Sequence, residues 1–140
     1  MTAPRAETTD PIRALAETCA AAALDKKATD VVMLDVRSLT SLADWFVLAS
    51  GRSDTQVRAI AEAVETACRG RERRPLCVEG LRHGQWVLLD YGDVVVHVFY
   101  GPVREFYDLE RLWAKAPRIA VEAPEPAPAG SGKTGRGAAR

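Results

Sequence analysis

Apolar positions recur at helical spacing from the start of the patterned chain. Asp10-Pro11 supplies an N-cap and a proline for the first helical turn, and Ile12, Leu15, Ala16, Cys19 and Ala23 follow on one face. A helix is predicted to about Lys27. DVVMLDV, 30–36, reads as a short strand, and SLTSLAD as a turn or short helical connection. DWFVLASG, 44–51, is apolar on both faces and therefore a central strand. Ser53 and Gln56 have the spacing of a reciprocal capping box, and Val57, Ile60, Ala61, Val64 and Cys68 line one face of a second helix that ends at Gly70. PLCVEG is a third strand, LRHGQ a turn, and WVLLDYGDVVVHVFY, 86–100, a hairpin. From Pro102, the positions Val103, Phe106, Leu109, Leu112 and Trp113 predict a third helix closed before Pro117. The order α-β-β-α-β-β-β-α is that of a single α/β domain with about five strands over residues 10–119. Residues 1–9 read as a flexible arm. Residues 120–140, rich in Ala, Pro and Gly, cannot repay their ordering entropy and are expected to be disordered.

The hairpin can be sorted by face, because strand side chains alternate. With Asp90 paired to Asp93 across a Tyr91-Gly92 turn, Trp86 faces His97 and Leu88 faces Val95. Val87, Leu89, Val94, Val96 and Val98 form an aliphatic face that helices should cover. Trp86, Leu88, Asp90, Asp93, Val95, His97 and Phe99 form a mixed face. Two readings of it stay open from pattern alone: a docking surface with an aromatic anchor, or a covered layer in which Trp86 stacks on His97.

Composition narrows the chemistry. The 140 residues hold 47% apolar and 27% charged side chains, and 19 basic residues balance 19 acidic ones, so net charge names no partner. Three cysteines without a CxxC spacing fit a reducing compartment. The first ten residues lack a signal-peptide layout and no apolar run reaches membrane length, so a cytoplasmic chain without membrane contact is expected. His83 and His97 lack ligand-like companions, so no metal is expected, and a strand position between valines gives His97 neither nucleophile nor pocket. GSGKTG, 130–135, imitates the end of a phosphate-binding loop, but Ala127 stands where its first glycine belongs. SGRSD, 50–54, could hold an anion, yet its helix cap is already occupied. RGRERR, 69–74, is a solvated basic loop unless nucleic acid lies near. Asp35, Asp44, Asp90 and Asp93 sit at strand ends and turns, in no paired arrangement for catalysis.

KATDVVMLDV, LADWFVLASGRSDTQVRAIAEAV, EGLRHGQWVLLDYGDVVVHVFY and REFYDLERLW, in this order over about residues 10–117, resemble the ribosomal silencing factor family, also called Iojap-like. Trp45 stands where many members carry another aromatic, usually tyrosine. The resemblance implies a mixed sheet flanked by helices, related to nucleotidyltransferases but without their catalytic residues, and no cofactor. It implies a cytoplasmic repressor that binds the large ribosomal subunit through its fourteenth protein. Joining of the small subunit is then blocked sterically when nutrients are short. A contact to ribosomal RNA and pairing of two copies are both compatible with it. The partner-binding set expected on this reading is Trp86, Leu88, Asp90, Tyr91, Asp93, Val95 and His97, with acidic Asp90, Asp93 and Glu105 complementing a basic partner and Arg104, Tyr107, Asp108 and Arg111 rimming the site or bracing the fold. Two competitors remain: a nucleotidyltransferase-like enzyme using Asp35 or Asp44, and an RNA-binding module using Arg69, Arg71, Arg73 and Arg74.

Overall fold

Asp10 opens the first helix by accepting the amides of Ile12 and Arg13, each at 3.1 Å, on a side-chain oxygen. The computed structural model describes residues 10–122; the arm 1–9 and the tail beyond 122, with its 130–135 segment, lie outside the described residues. Helix α1 spans Pro11–Asp25 and is followed by strands β1 (Thr29–Asp35) and β2 (Trp45–Gly51). Helix α2 runs Asp54–Arg69 before β3 (Cys77–Glu79), β4 (Trp86–Asp90) and β5 (Val94–Tyr100). Two short helices, α3 (Gly101–Tyr107) and α4 (Leu109–Leu112), lead to β6 (Arg118–Ala120). The six strands form one mixed sheet in the order β3-β4-β5-β2-β1-β6, with β2 and β5 parallel and every other pair antiparallel.

The strand alternation sends two different layers to the two sides of this sheet. Val47 and Ala49 of β2, Val87 and Leu89 of β4, and Val94, Val96 and Val98 of β5 pack beneath α1 and α2. These side chains are fully buried, at roughly 1.5–3 kcal/mol for each large aliphatic. Phe46 and Leu48 of β2 and Phe99 of β5 point the other way, under α3, α4 and the turn that follows. Every residue of β2 is buried, as a doubly covered central strand requires.

Four details depart from expectation. The capping box at α2 is not reciprocal. Ser53 Oγ accepts the Gln56 amide at 3.1 Å, but Gln56 Oε1 takes the Arg52 amide and its Nε2 donates to the carbonyls of Lys26 and Lys27. That side chain ties the start of α2 to the end of α1. The hairpin register is displaced by two residues: Trp86 lies opposite Phe99 and Leu88 opposite His97. Gly92 supplies a φ of +90° as the first residue of a Gly92-Asp93 turn, and its amide donates to Asp90 Oδ1 at 2.8 Å. An even displacement leaves each side chain on its expected face. The third helix is broken, because Asp108 adopts a left-handed conformation (φ 48°, ψ 52°) between α3 and α4. Finally, a sixth strand follows Pro117; it pairs with β1, and Val121 N–H continues onto the Val31 carbonyl at 2.8 Å.

Gly80 fixes how the chain enters the hairpin. Its φ is +83°, and a Cβ built there would stand 1.9 Å from the Trp86 carbonyl oxygen. Gly80→Ala is expected to cost about 2–4 kcal/mol through strain and displacement of Trp86. Thermal unfolding checks this, with a drop of about 10 °C or more expected.

Candidate functional site

The second side of the sheet is covered over β1, β2 and part of β5, and is open over β4. Arg104, on α3, is the fastener. Its Nη1 donates to the Asp30 carbonyl at 2.7 Å and to Ser50 Oγ at 2.9 Å. Its Nε and Nη2 grip both carboxylate oxygens of Glu110 on α4, at 3.1 and 3.0 Å. Glu110 is also bonded by Arg118 on β6. Burial pushes the Glu110 carboxyl up, but the hydrogen bonds and charges of Arg104 and Arg118 outweigh it and hold the group below its ordinary range. Val103, Leu109, Trp113 and Ala116 are thereby seated on Phe46, Leu48 and Phe99.

Beyond this cover an aromatic series runs outward to solvent. His97 stacks on buried Phe99, with ring centres 6.0 Å apart and planes 11° from parallel, and meets the edge of Phe46 at 5.5 Å. The Trp86 indole leans on Phe99 at 4.9 Å, and its Nε1 donates to His97 Nδ1 at 3.1 Å. That bond fixes the neutral tautomer with its proton on Nε2. Tyr107 lies on the outer side of the indole at 5.0 Å and is 55% exposed; Phe106 meets it edge-on and is 80% exposed. Leu88 and Val95 flank the series half-buried. An indole held rigid from behind and wet in front is a ready anchor for a partner's apolar groups.

Several expected site residues lie elsewhere. Tyr91 is not at the surface: with the turn displaced it belongs to the aliphatic face, 3% exposed beneath α2, because its parity matches Leu89 and Val94. His97 is buried at 6% exposure and supports the indole from below. Burial pushes its pKa down to about 4, against a weaker opposing pull from Asp90. Arg104 is 7% exposed and fastens the fold. Glu105 and Asp108 line a polar pocket of about 320 Å³ with Asp30, Ser50 and Arg104. Asp93 pairs with Arg73 at 2.9 Å, which also donates to the Tyr91 carbonyl; one of the four clustered arginines thus clamps the hairpin turn. Asp90 is half-buried and braces that turn. The structure therefore brings together Trp86, Leu88, Val95, His97 and Tyr107.

Sequence reasoning missed Phe106 and Leu112, which it placed on the buried side of a continuous third helix; they are 80% and 75% exposed. Their spacing carried no signal of this, because the exposure follows from the break at Asp108. Elsewhere, Asp35 is held by Arg37 at 2.7 and 2.9 Å, and the Arg37 hydrogen bond keeps its carboxyl below the ordinary range. Among the described residues no group of three or more His, Cys, Asp or Glu could hold a metal ion, and no helix is long and apolar enough to cross a membrane.

The described residues thus form a mixed sheet with one face covered by α1 and α2 and, on the other, an aromatic patch at the edge of the α3 and α4 cover. The chain belongs to the family described as ribosomal silencing factor during starvation, whose model matches residues 9–139. It is 40% identical over 105 residues to a ribosomal silencing factor of Bacillus subtilis, covering 75% of this chain and 89% of that protein. It is 34% identical to the chloroplastic protein Iojap of Zea mays, covering 84% of this chain and 52% of the relative. A crystal structure of a Chromobacterium violaceum protein superposes with a TM-score of 0.73 at 36% identity, covering 84% of this chain and 96% of the other.

The depressed His97 pKa has a consequence for stability. The unfolded chain takes up a proton between about pH 6.5 and 4 that the folded chain refuses. Stability is therefore full above about pH 6.5, falls by up to about 3 kcal/mol as pH drops through that window, and loses no more to this group below it. Urea unfolding at neutral and at acid pH checks this. His97→Gln, which keeps an acceptor for the indole, should lose less stability on acidification by about that amount.

Proposed function

We propose that this protein lowers translation by seating the patch of Trp86, Leu88, Phe106 and Tyr107 on the large ribosomal subunit, through its fourteenth protein, so that the small subunit cannot join. Obstruction is the whole activity: no chemical step, metal or cofactor takes part. The observation that carries this reading is the indole held rigid by His97 and Phe99 while Tyr107 and Phe106 stand in solvent beside it. A patch of this kind loses little side-chain freedom when covered, so its buried area converts efficiently into affinity. Membership of a family of ribosomal silencing factors supports the ribosome as the partner. Asp90, at the edge of the patch, offers a carboxylate to a basic partner and serves orientation and rate more than affinity. The site of action is the cytoplasm, where ribosomes assemble on messages. The boundaries that suit this role run from residue 10 through the β6 pairing to Val121, past the expected end at 119, with the arm and the rest of the tail outside the docking domain.

The half-buried state of Trp86 changes which substitution tests the idea. Trp86→Ala would remove the support of Phe99 and His97 together and destabilise the fold as well as the contact. Phe106→Ala combined with Tyr107→Ala acts on exposed side chains only. This double variant is expected to co-sediment with purified large subunits at least tenfold more weakly than the parent, with its melting temperature within about 3 °C. Unchanged co-sedimentation would remove the patch from the contact. Charge reversal at exposed Arg69, Arg71 and Arg74 is the companion experiment, and loss of binding there alone would favour recognition through ribosomal RNA.

A further inference from the structure

Cys19 on α1 and Cys68 on α2 are both fully buried, and their Sγ atoms lie 3.5 Å apart as free thiols. They are 49 positions apart in the chain and meet where the two helices pack on the sealed side of the sheet. We infer that this pair is a thiol–disulfide latch: hydrogen peroxide oxidises Cys19 and Cys68 to a disulfide that staples α1 to α2. Bond formation requires the two sulfurs to close from 3.5 Å to about 2 Å.

The surroundings set the order of events. A hydrogen bond from Cys19 draws the Cys68 thiol down to about 7. Burial opposes this, while the Tyr91 hydroxyl and the charges of Arg73 and Arg71 assist it. The same interaction raises the Cys19 thiol, and the thiolate is assigned to Cys68, the sulfur that lies at a helix end. The Tyr91 hydroxyl has no hydrogen-bond partner of ordinary geometry and is free to donate to that sulfur or to an oxygen arriving there. Cys68 lies one residue from the end of α2, where fraying admits a molecule as small as a peroxide.

In the first step the Cys68 thiolate attacks one peroxide oxygen. The O–O bond breaks, Cys68 becomes a sulfenic acid, and the departing oxygen leaves as water after taking a proton. In the second step Cys19 sulfur attacks the Cys68 sulfur. The S–S bond forms as the S–O bond breaks, and the hydroxyl leaves as a second water with the Cys19 proton. Two thiols lose two electrons and the peroxide gains them.

The latch lies opposite the aromatic patch, so it acts on the persistence of the fold and not on the docking residues. It closes a long loop, which restricts the unfolded chain far more than the folded one. Cys77, exposed on β3, is a separate thiol that would complicate the readout.

The test uses the full-length Cys77→Ser chain, which keeps both core sulfurs. The reduced protein is treated with hydrogen peroxide, unfolded in guanidinium with iodoacetamide, and weighed intact. The expected result is two labels before oxidation and none after, with an unlabelled monomer about 2 Da lighter than the reduced chain. A melting temperature higher by about 5–15 °C is also expected, and dithiothreitol should reverse both changes. Trapping of a sulfenic acid at Cys68 by dimedone in a Cys19→Ser, Cys77→Ser chain, which keeps a donor beside Cys68, would support the assigned order. Two labels surviving peroxide, or a sulfinic acid at Cys68 in place of the bond, would overturn the latch.

Discussion

Arg104 donates to the Asp30 carbonyl, to Ser50 and to both oxygens of Glu110, and through Glu110 it is joined to Arg118 on β6. Helices of seven and four residues are far too short to be stable by themselves, so the cover over the second sheet face depends on this fastening. The fastening also decides where the cover ends. Leu109, Trp113 and Ala116 are drawn over Phe46 and Leu48, while β4 is left without a helix above it. The open aromatic patch is thus a by-product of a buried ion pair more than of any local preference of the hairpin for solvent.

That patch is rigid because its inner members are buried for good physical reasons. His97 stays neutral since burial disfavours its cation, and a neutral imidazole with a free Nδ1 can accept the indole N–H. Phe99 fills the space beneath both rings. Trp86 therefore arrives at the surface already ordered, with Tyr107 against its outer side. A surface of this kind is suited to binding by shape, as the proposed obstruction of subunit joining requires.

Much of the frame could be read from residue spacing. The period of α1 and α2 follows from helical spacing, the burial of β2 on both faces from its unbroken apolar run, and the sorting of hairpin side chains from alternation. The hairpin faces survive a register error because the displacement was even; Tyr91 was misplaced because the turn begins one residue later, at Gly92. The break at Asp108 was hidden by its residue type, since a non-glycine in the left-handed region is uncommon. β6 is three residues long and follows a proline, so it carries no period to detect. The mixed face was the hardest element. Alternation says which side chains share it, but only Arg104, acting across 54 and 74 positions of sequence, determines which of them a helix covers. Phe106 and Leu112 were missed for the same reason, because their exposure depends on the break and not on their spacing.

The central claim is that a bound copy of this protein keeps the two ribosomal subunits apart. Light scattering from purified small and large subunits, mixed after the large subunit has been saturated with the protein, measures joining directly. The account predicts that joining falls in step with occupancy of the large subunit and recovers when the Phe106→Ala, Tyr107→Ala chain is used instead. Normal joining by large subunits that demonstrably carry the protein would contradict it.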